Sequence, residues 1–238
     1  MAGRTVKYSL PGTESSRGGE YWLYLCLRRF SAFLAHIMAI GFTIFLMILS
    51  RPGTSKCQPM PITISLHFTL LFCLCMTEGI LLLSPETSPF CLLSRKSKTR
   101  LHWLAQIFVL VCAGTGLTVI IWNKNVTELP HLTSWHSIMG IATIVASSCQ
   151  AFCGLALLWP CLLCVPVVSR LKLYHATFGL IVYLLATTTV LLGLCSDWFQ
   201  AQVVGPVWYV CFCIPLYPAL IIMNQILDIY LPKKVGRM

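Results

Sequence analysis

Charge is what this chain has least of. Only 10% of its 238 residues are Asp, Glu, Lys or Arg, and only seven are acidic. A soluble globular domain carries about a quarter of its residues as charges, so that class is excluded. No glycine-rich phosphate loop follows a strand-like run, which argues against nicotinamide and flavin sites. No Ser/His/Asp arrangement for nucleophilic catalysis stands out. Thirteen cysteines invite a zinc or disulfide reading, but "CLLC" at 161–164 has no second pair to complete a four-ligand site. Cys73, Cys75, Cys112, Cys149, Cys153, Cys211 and Cys213 lie in or beside apolar runs, where a small side chain packs without chemistry. Midplane carboxylates and broken helices, which a transporter would need, are scarce. Glu78 near one span end, with Pro215 and Pro218, is nearly all there is.

What is present is apolar: 57% of residues are hydrophobic and mean hydropathy is +0.80. A helix needs roughly 20 residues to cross about 30 Å of hydrocarbon. Six charge-poor runs are long enough, near 30–50, 62–83, 101–122, 135–159, 173–195 and 205–227. The expected fold is therefore all-α: a polytopic membrane protein of six transmembrane helices with a central four-helix bundle. Residues 1–29 are expected to be a disordered cytosolic segment without a signal-peptide layout. Residues 30–227 form the transmembrane domain and 228–238 a cytosolic tail.

The net charge of +10 is not a nucleic-acid footprint, because its distribution follows topology. In the six-span layout fourteen Lys and Arg fall on the side of the termini and three on the other. By the positive-inside rule both termini are cytosolic. The sequon Asn125-Val126-Thr127 then falls on the opposite side, as its use would require.

Six histidines remain: His36, His67, His102, His131, His136 and His175. Four of them lie in the first turns of spans two to five. Consecutive spans run antiparallel, so His102 and His175 share the cytosolic face and His67 and His136 the other. Imidazole inside a membrane is costly and usually functional. Two histidines facing across a bundle core suit a six-coordinate haem iron. Ligands one turn inside each face would set two irons on the order of 20 Å apart. Gly140 follows His136 by four residues and Gly179 follows His175 by four, leaving room for a flat ring on the same helix face. Small residues at helix crossings explain these glycines equally well.

His36 reads as a hydrogen-bonded packing residue. His131, just outside span four, is a candidate on the acceptor side. Glu78 is expected to snorkel or to pair with a cation of the next connection. Asn224 and Gln225 read as interhelical hydrogen-bonding groups.

The segments "GFTIFLMILSRPGTS", "FCLCMTEGILLLSPE", "RLHWLAQ", "ELPHLTSWHS", "RLKLYH" and "PALIIMNQI" resemble the cytochrome b561 family over roughly residues 28–235. The resemblance implies two b-type haems held by four histidines of the central helices. Electrons would pass from cytosolic ascorbate to monodehydroascorbate radical or ferric iron across the membrane. "RLHW" and "KLYH" imply His102 and His175 for the cytosolic haem, and "SWHS" implies His136 for the other. The fourth ligand is open. Relatives carry a His-Pro dipeptide soon after "RPGTS", where this chain reads "KCQPMPITISLH". Counting forward reaches Met60; counting back from "MTE" reaches Ile64, three residues short of His67. Met60 and His67 lie within about 20° of one helix face, His67 is favoured, and a site with no haem is the third alternative. The family's ascorbate-contacting cations match Lys96, Arg100 and Arg170, which also form a positive mouth for a small anion. A homodimer is compatible with the family. The alternatives to this reductase are a haem-deficient scaffold and a transition-metal or proton transporter.

Overall fold

A computed structural model describes residues 12–51, 60–83, 93–161 and 167–230. They form eight helices: α1 Gly12–Leu49, α2 Met60–Leu81, α3 Arg95–Val126, α4 Trp135–Leu158, α5 Val168–Leu194, α6 Asp197–Gln202, α7 Pro206–Cys213 and α8 Leu216–Tyr230. No strand occurs among the described residues. Six stretches are long and apolar enough to span a bilayer, the sixth running from Pro206 to Asp228 through α7 and α8. Helices satisfy every backbone group within one segment, which is why they are the solution in lipid.

Two details differ from expectation. Residues 12–29, read as disordered, continue α1 without a break; a helix already nucleated by its span extends at little cost. The sixth span is interrupted at Ile214 and Pro215. Proline has no N–H, so neither Pro215 nor Pro218 can donate to the carbonyl four residues earlier; Ile214 accepts from the Tyr217 amide instead at 3.3 Å, and the helix restarts at Leu216.

The packing order places α2 against α3 and α4 against α5, with α1 laid on α2 and α8, and α8 on α5. Side chains are small or hydroxylic at the crossings. Ala35 is fully buried, and Ala32, Thr77, Thr143, Ser147 and Thr187 are buried with it. Helix association in lipid has no hydrophobic drive and depends on close contact and hydrogen bonds. Large apolar groups face outward instead, Phe152 at 72% exposure being one. Trp122, Trp135 and Trp159 are exposed near span ends, the positions of an aromatic belt. One core cluster joins Phe72, Met76, Val109, Val182, Tyr183 and Ile222, and a second joins Leu46, Leu70, Leu194 and Phe199 under α6.

Glycine sets the closest approach. A Cβ on Gly79 would stand 3.0 Å from Gln106 Nε2 and 3.1 Å from Ala105 Cβ, whereas one on Gly41 would meet nothing within 4 Å. Gly79→Val is expected to destabilise the bundle by about 1–3 kcal/mol through overpacking, and Gly41→Val to be neutral. Thermal melts of both variants in one detergent check the contrast.

Candidate functional site

The histidine sites are built from helix starts. Ser94 caps α3 through the Ser97 amide, and His102 is the eighth residue of the helix. His175 is likewise the eighth residue of α5. Starting from the same face, the two reach equal depth. Their ring centroids lie 6.3 Å apart with the planes at 88°. His102 Nδ1–H donates to the Gly79 carbonyl at 2.8 Å, which fixes the tautomer and leaves Nε2 as a lone pair. His175 Nδ1 is buried with no partner. Its ring rests on Gly154 of α4, where a Cβ would stand 3.4 Å from Cε1. Gln150 Nε2 donates to the His175 carbonyl at 2.9 Å.

Metal–imidazole bonds are about 2 Å. Two of them, plus roughly 1.1 Å from each nitrogen to its ring centre, give a centroid separation of about 6 Å for histidines sharing one ion. The spacing of His102 and His175 fits that arrangement, and a neutral imidazole oriented by a backbone carbonyl is the usual state of a ligating histidine.

The opposite face is arranged differently. Ser134 and Ser137 form a capping box that starts α4, so His136 is the second residue of that helix. Its Nδ1–H donates to the Thr189 carbonyl of α5 at 2.9 Å. Its ring rests on Gly193, where a Cβ would stand 3.2 Å from Cε1. His67 is the eighth residue of α2 and donates from Nδ1 to the Thr63 carbonyl of its own helix at 2.7 Å. His136 thus stands six residues nearer the start of its helix than His67 does. Among the described residues, a ring contact joins His102 to His175 but none joins His67 to His136. All four were expected within the first turns of their spans; His136 stands in the first turn of its helix and the other three at the eighth position of theirs. Met60 opens α2, and its side chain lies outside the described residues.

A Cβ on Gly140 would meet Thr189 and one on Gly179 would meet Gln150. The imidazoles themselves rest on two other glycines, Gly193 and Gly154 of the partner helix. Each stands eighteen residues after the histidine of its own helix, five full turns, and so on the same face. That repeated interval was a signal available in the sequence.

Lys96 and Arg100 are exposed on the first turns of α3, and Arg170 on the first turn of α5, at the end holding His102 and His175. Lys98 between them is buried. His131 is exposed and donates from Nε2 to Asn125 Oδ1 at 2.8 Å. Glu78 does not turn to a cation of the next connection: its Oε2 lies 2.5 Å from His36 Nδ1 of α1, while Oε1 is buried without a partner. Among the described residues the cysteines are free, and no three His, Cys, Asp or Glu converge as a metal cluster. Cys164 of "CLLC" lies outside them.

A family model described as eukaryotic cytochrome b561 matches residues 64–200. The chain belongs to the cytochrome b561 family. A Mus musculus protein named "Probable transmembrane reductase CYB561D1" is 55% identical over 208 residues, 87% of this chain and 89% of that protein. The Bos taurus "Transmembrane reductase CYB561D2" is 43% identical over 215 residues, 90% and 95% of the two chains. The Mus musculus "Lysosomal membrane ascorbate-dependent ferrireductase CYB561A3" is 32% identical over 94 residues, 40% of this chain and 39% of that protein. This cytochrome b561 protein is thus an integral, multi-pass membrane oxidoreductase of the transmembrane reductase type, and its family implies b-type haem.

Gly193 and Gly140 differ in what an added methyl group would meet. Gly193→Ala is expected to crowd His136 and change the low-temperature electron paramagnetic resonance signal of the bound haem. Gly140→Ala, whose Cβ would sit 3.7 Å from Thr189, is expected to leave that signal unchanged.

Proposed function

We propose that this cytochrome b561 protein carries electrons from cytosolic ascorbate through two b-type haems to monodehydroascorbate radical or ferric iron on the other side. When bound, each haem supplies a one-electron iron couple. The observation that carries the reading is the His102–His175 pair, matched in depth and 6.3 Å apart between ring centroids. In this reading those two residues hold the cytosolic haem and His136 holds the other with His67, Met60 being the alternative to His67.

The chain's own groups orient these ligands. The Gly79 carbonyl holds His102 and the Thr189 carbonyl holds His136, so each imidazole presents one fixed nitrogen. Lys96, Arg100 and Arg170 make a cationic mouth beside the cytosolic pair and gather ascorbate as an anion. The name of the mouse ferrireductase supports both ascorbate and iron as substrates. His131 stands on the acceptor side. The distribution of fourteen against three cations supports cytosolic termini.

The ring contact that joins His102 to His175 has no counterpart between His67 and His136 among the described residues, which favours a second reading, in which the cytosolic site alone is filled and transmembrane transfer is lost. Haem per chain, measured by pyridine haemochrome on detergent-purified protein, separates the two. Two ascorbate-reducible haems are expected, falling to about half in His102→Ala, His175→Ala and His136→Ala, since each site needs both axial ligands. His67→Ala is expected to follow them and Met60→Leu to retain both haems. One haem in the unmodified protein would establish the second reading, and none would remove electron transfer. Epitope tags at both termini, expected to be reached by antibody only after cytosolic access is opened, check the orientation.

A further inference from the structure

Three of the four histidines of α2–α5 are held by their rings. The Nδ1–H groups of His102, His136 and His67 donate to the carbonyls of Gly79, Thr189 and Thr63. His175 differs, its Nδ1 being buried with no partner. A ligating histidine normally donates its other ring N–H to an oxygen that fixes the ring. His175 therefore needs another support.

The register of α4 against α5 shows where that support comes from. His136, Gly140, Gln150 and Gly154 of α4 recur 39 residues later as His175, Gly179, Thr189 and Gly193 of α5. The contacts between the two helices are reciprocal. Gly140 faces Thr189 and Gly179 faces Gln150, while Gly193 carries the His136 ring and Gly154 the His175 ring. At one end of this seam the Thr189 carbonyl takes the ring proton of His136. At the other end the matching residue works in the opposite sense: Gln150 Nε2 donates to the backbone carbonyl of His175 at 2.9 Å. A carbonyl has a second lone pair, so α5 keeps its own hydrogen bond there. Gln150 and Gly154 are four residues apart and share a face of α4. One grips the backbone of His175 and the other is the floor under its ring, where a Cβ would stand 3.4 Å from Cε1.

We propose that Gln150 is the positioning residue of His175. It acts through the ligand's backbone, fixing the gap above Gly154 in which the ring stands, and so holds the His175 plane at 88° to that of His102. In lipid, where interhelical hydrogen bonds and close packing set how helices meet, one such bond beside a ligand fixes its approach. The inference rests on the reading that His102 and His175 share a haem iron.

The test is low-temperature electron paramagnetic resonance of the oxidised full-length protein in detergent. The largest g value of a low-spin bis-histidine ferric haem depends on the angle between the imidazole planes and is greatest when they are perpendicular. Gln150→Met keeps the length of the side chain and removes the N–H. Haem per chain and melting temperature are expected to stay close to those of the unmodified protein, while the large-g signal of the His102–His175 iron moves to lower g. The signal of a haem at His136 is expected to stay in place. Ser148→Ala, which removes a hydroxyl bonded to Ile144 within α4, is expected to change neither. An unmoved large-g signal in Gln150→Met would overturn the role of Gln150 and leave the haem reading standing. No low-spin signal in the unmodified protein would overturn both. A second measurement needs no variant: pulsed hyperfine spectroscopy of the unmodified protein reads the hydrogen bond at the outward nitrogen of each axial imidazole. The His102–His175 iron is expected to show one bonded and one free outward nitrogen. Two bonded nitrogens would mean that His175 is held by its ring, and would overturn the proposal.

Discussion

The hydrogen bond from His102 to the Gly79 carbonyl, 2.8 Å long, is the contact on which the rest of the His102–His175 site depends. A helical carbonyl normally bonds within its own helix and is shielded by neighbouring side chains. It can accept from another helix only where the two backbones nearly touch, and Gly79 permits that touch. The bond fixes which nitrogen of His102 carries the proton. It thereby leaves the other nitrogen with its lone pair, on a ring whose centre is 6.3 Å from that of His175. The same device serves His136 through Thr189, with Gly193 one turn away. In a membrane, where little else drives helices together, packing and ligand orientation are solved by the same residues.

Around this contact the bundle keeps its polar groups internal. Glu78, the residue before Gly79, reaches back to His36 at 2.5 Å, tying the peripheral α1 to the helix that holds His102. Thr77 meets Tyr183 of α5 at 3.0 Å, tying α2 to the helix that carries His175. Residues 77, 78 and 79 therefore link α2 to α5, α1 and α3 in turn. A change at any of them is transmitted to the ligand geometry by short, direct contacts.

The sequence made much of this legible. Length and charge-poor runs located six spans because hydrocarbon thickness leaves few alternatives. Antiparallel alternation then sorted the histidines by face, and the pair matched in depth, His102 and His175, is brought together. What was not legible is tertiary. Helical spacing put Gly140 and Gly179 on the faces of their own histidines, but nothing local showed that the imidazoles lie on Gly193 and Gly154 across the interface. The partner of Glu78 is 42 residues away on another helix, beyond the reach of local pattern. The capping box that starts α4 one residue before His136 sets how near that histidine lies to the start of its helix. The proline break of the sixth span was foreshadowed by Pro215 and Pro218, and the Gln225 Oε1 left without a hydrogen-bond donor was not.

The central claim is that two neutral histidines, matched in depth, share one haem iron. Near-infrared magnetic circular dichroism of the oxidised, purified protein reads axial ligation directly. The account predicts a low-spin bis-histidine charge-transfer band that falls to about half its intensity in His102→Ala. A wholly high-spin spectrum, or a bis-histidine band that survives the loss of both His102 and His175 at full intensity, would contradict it.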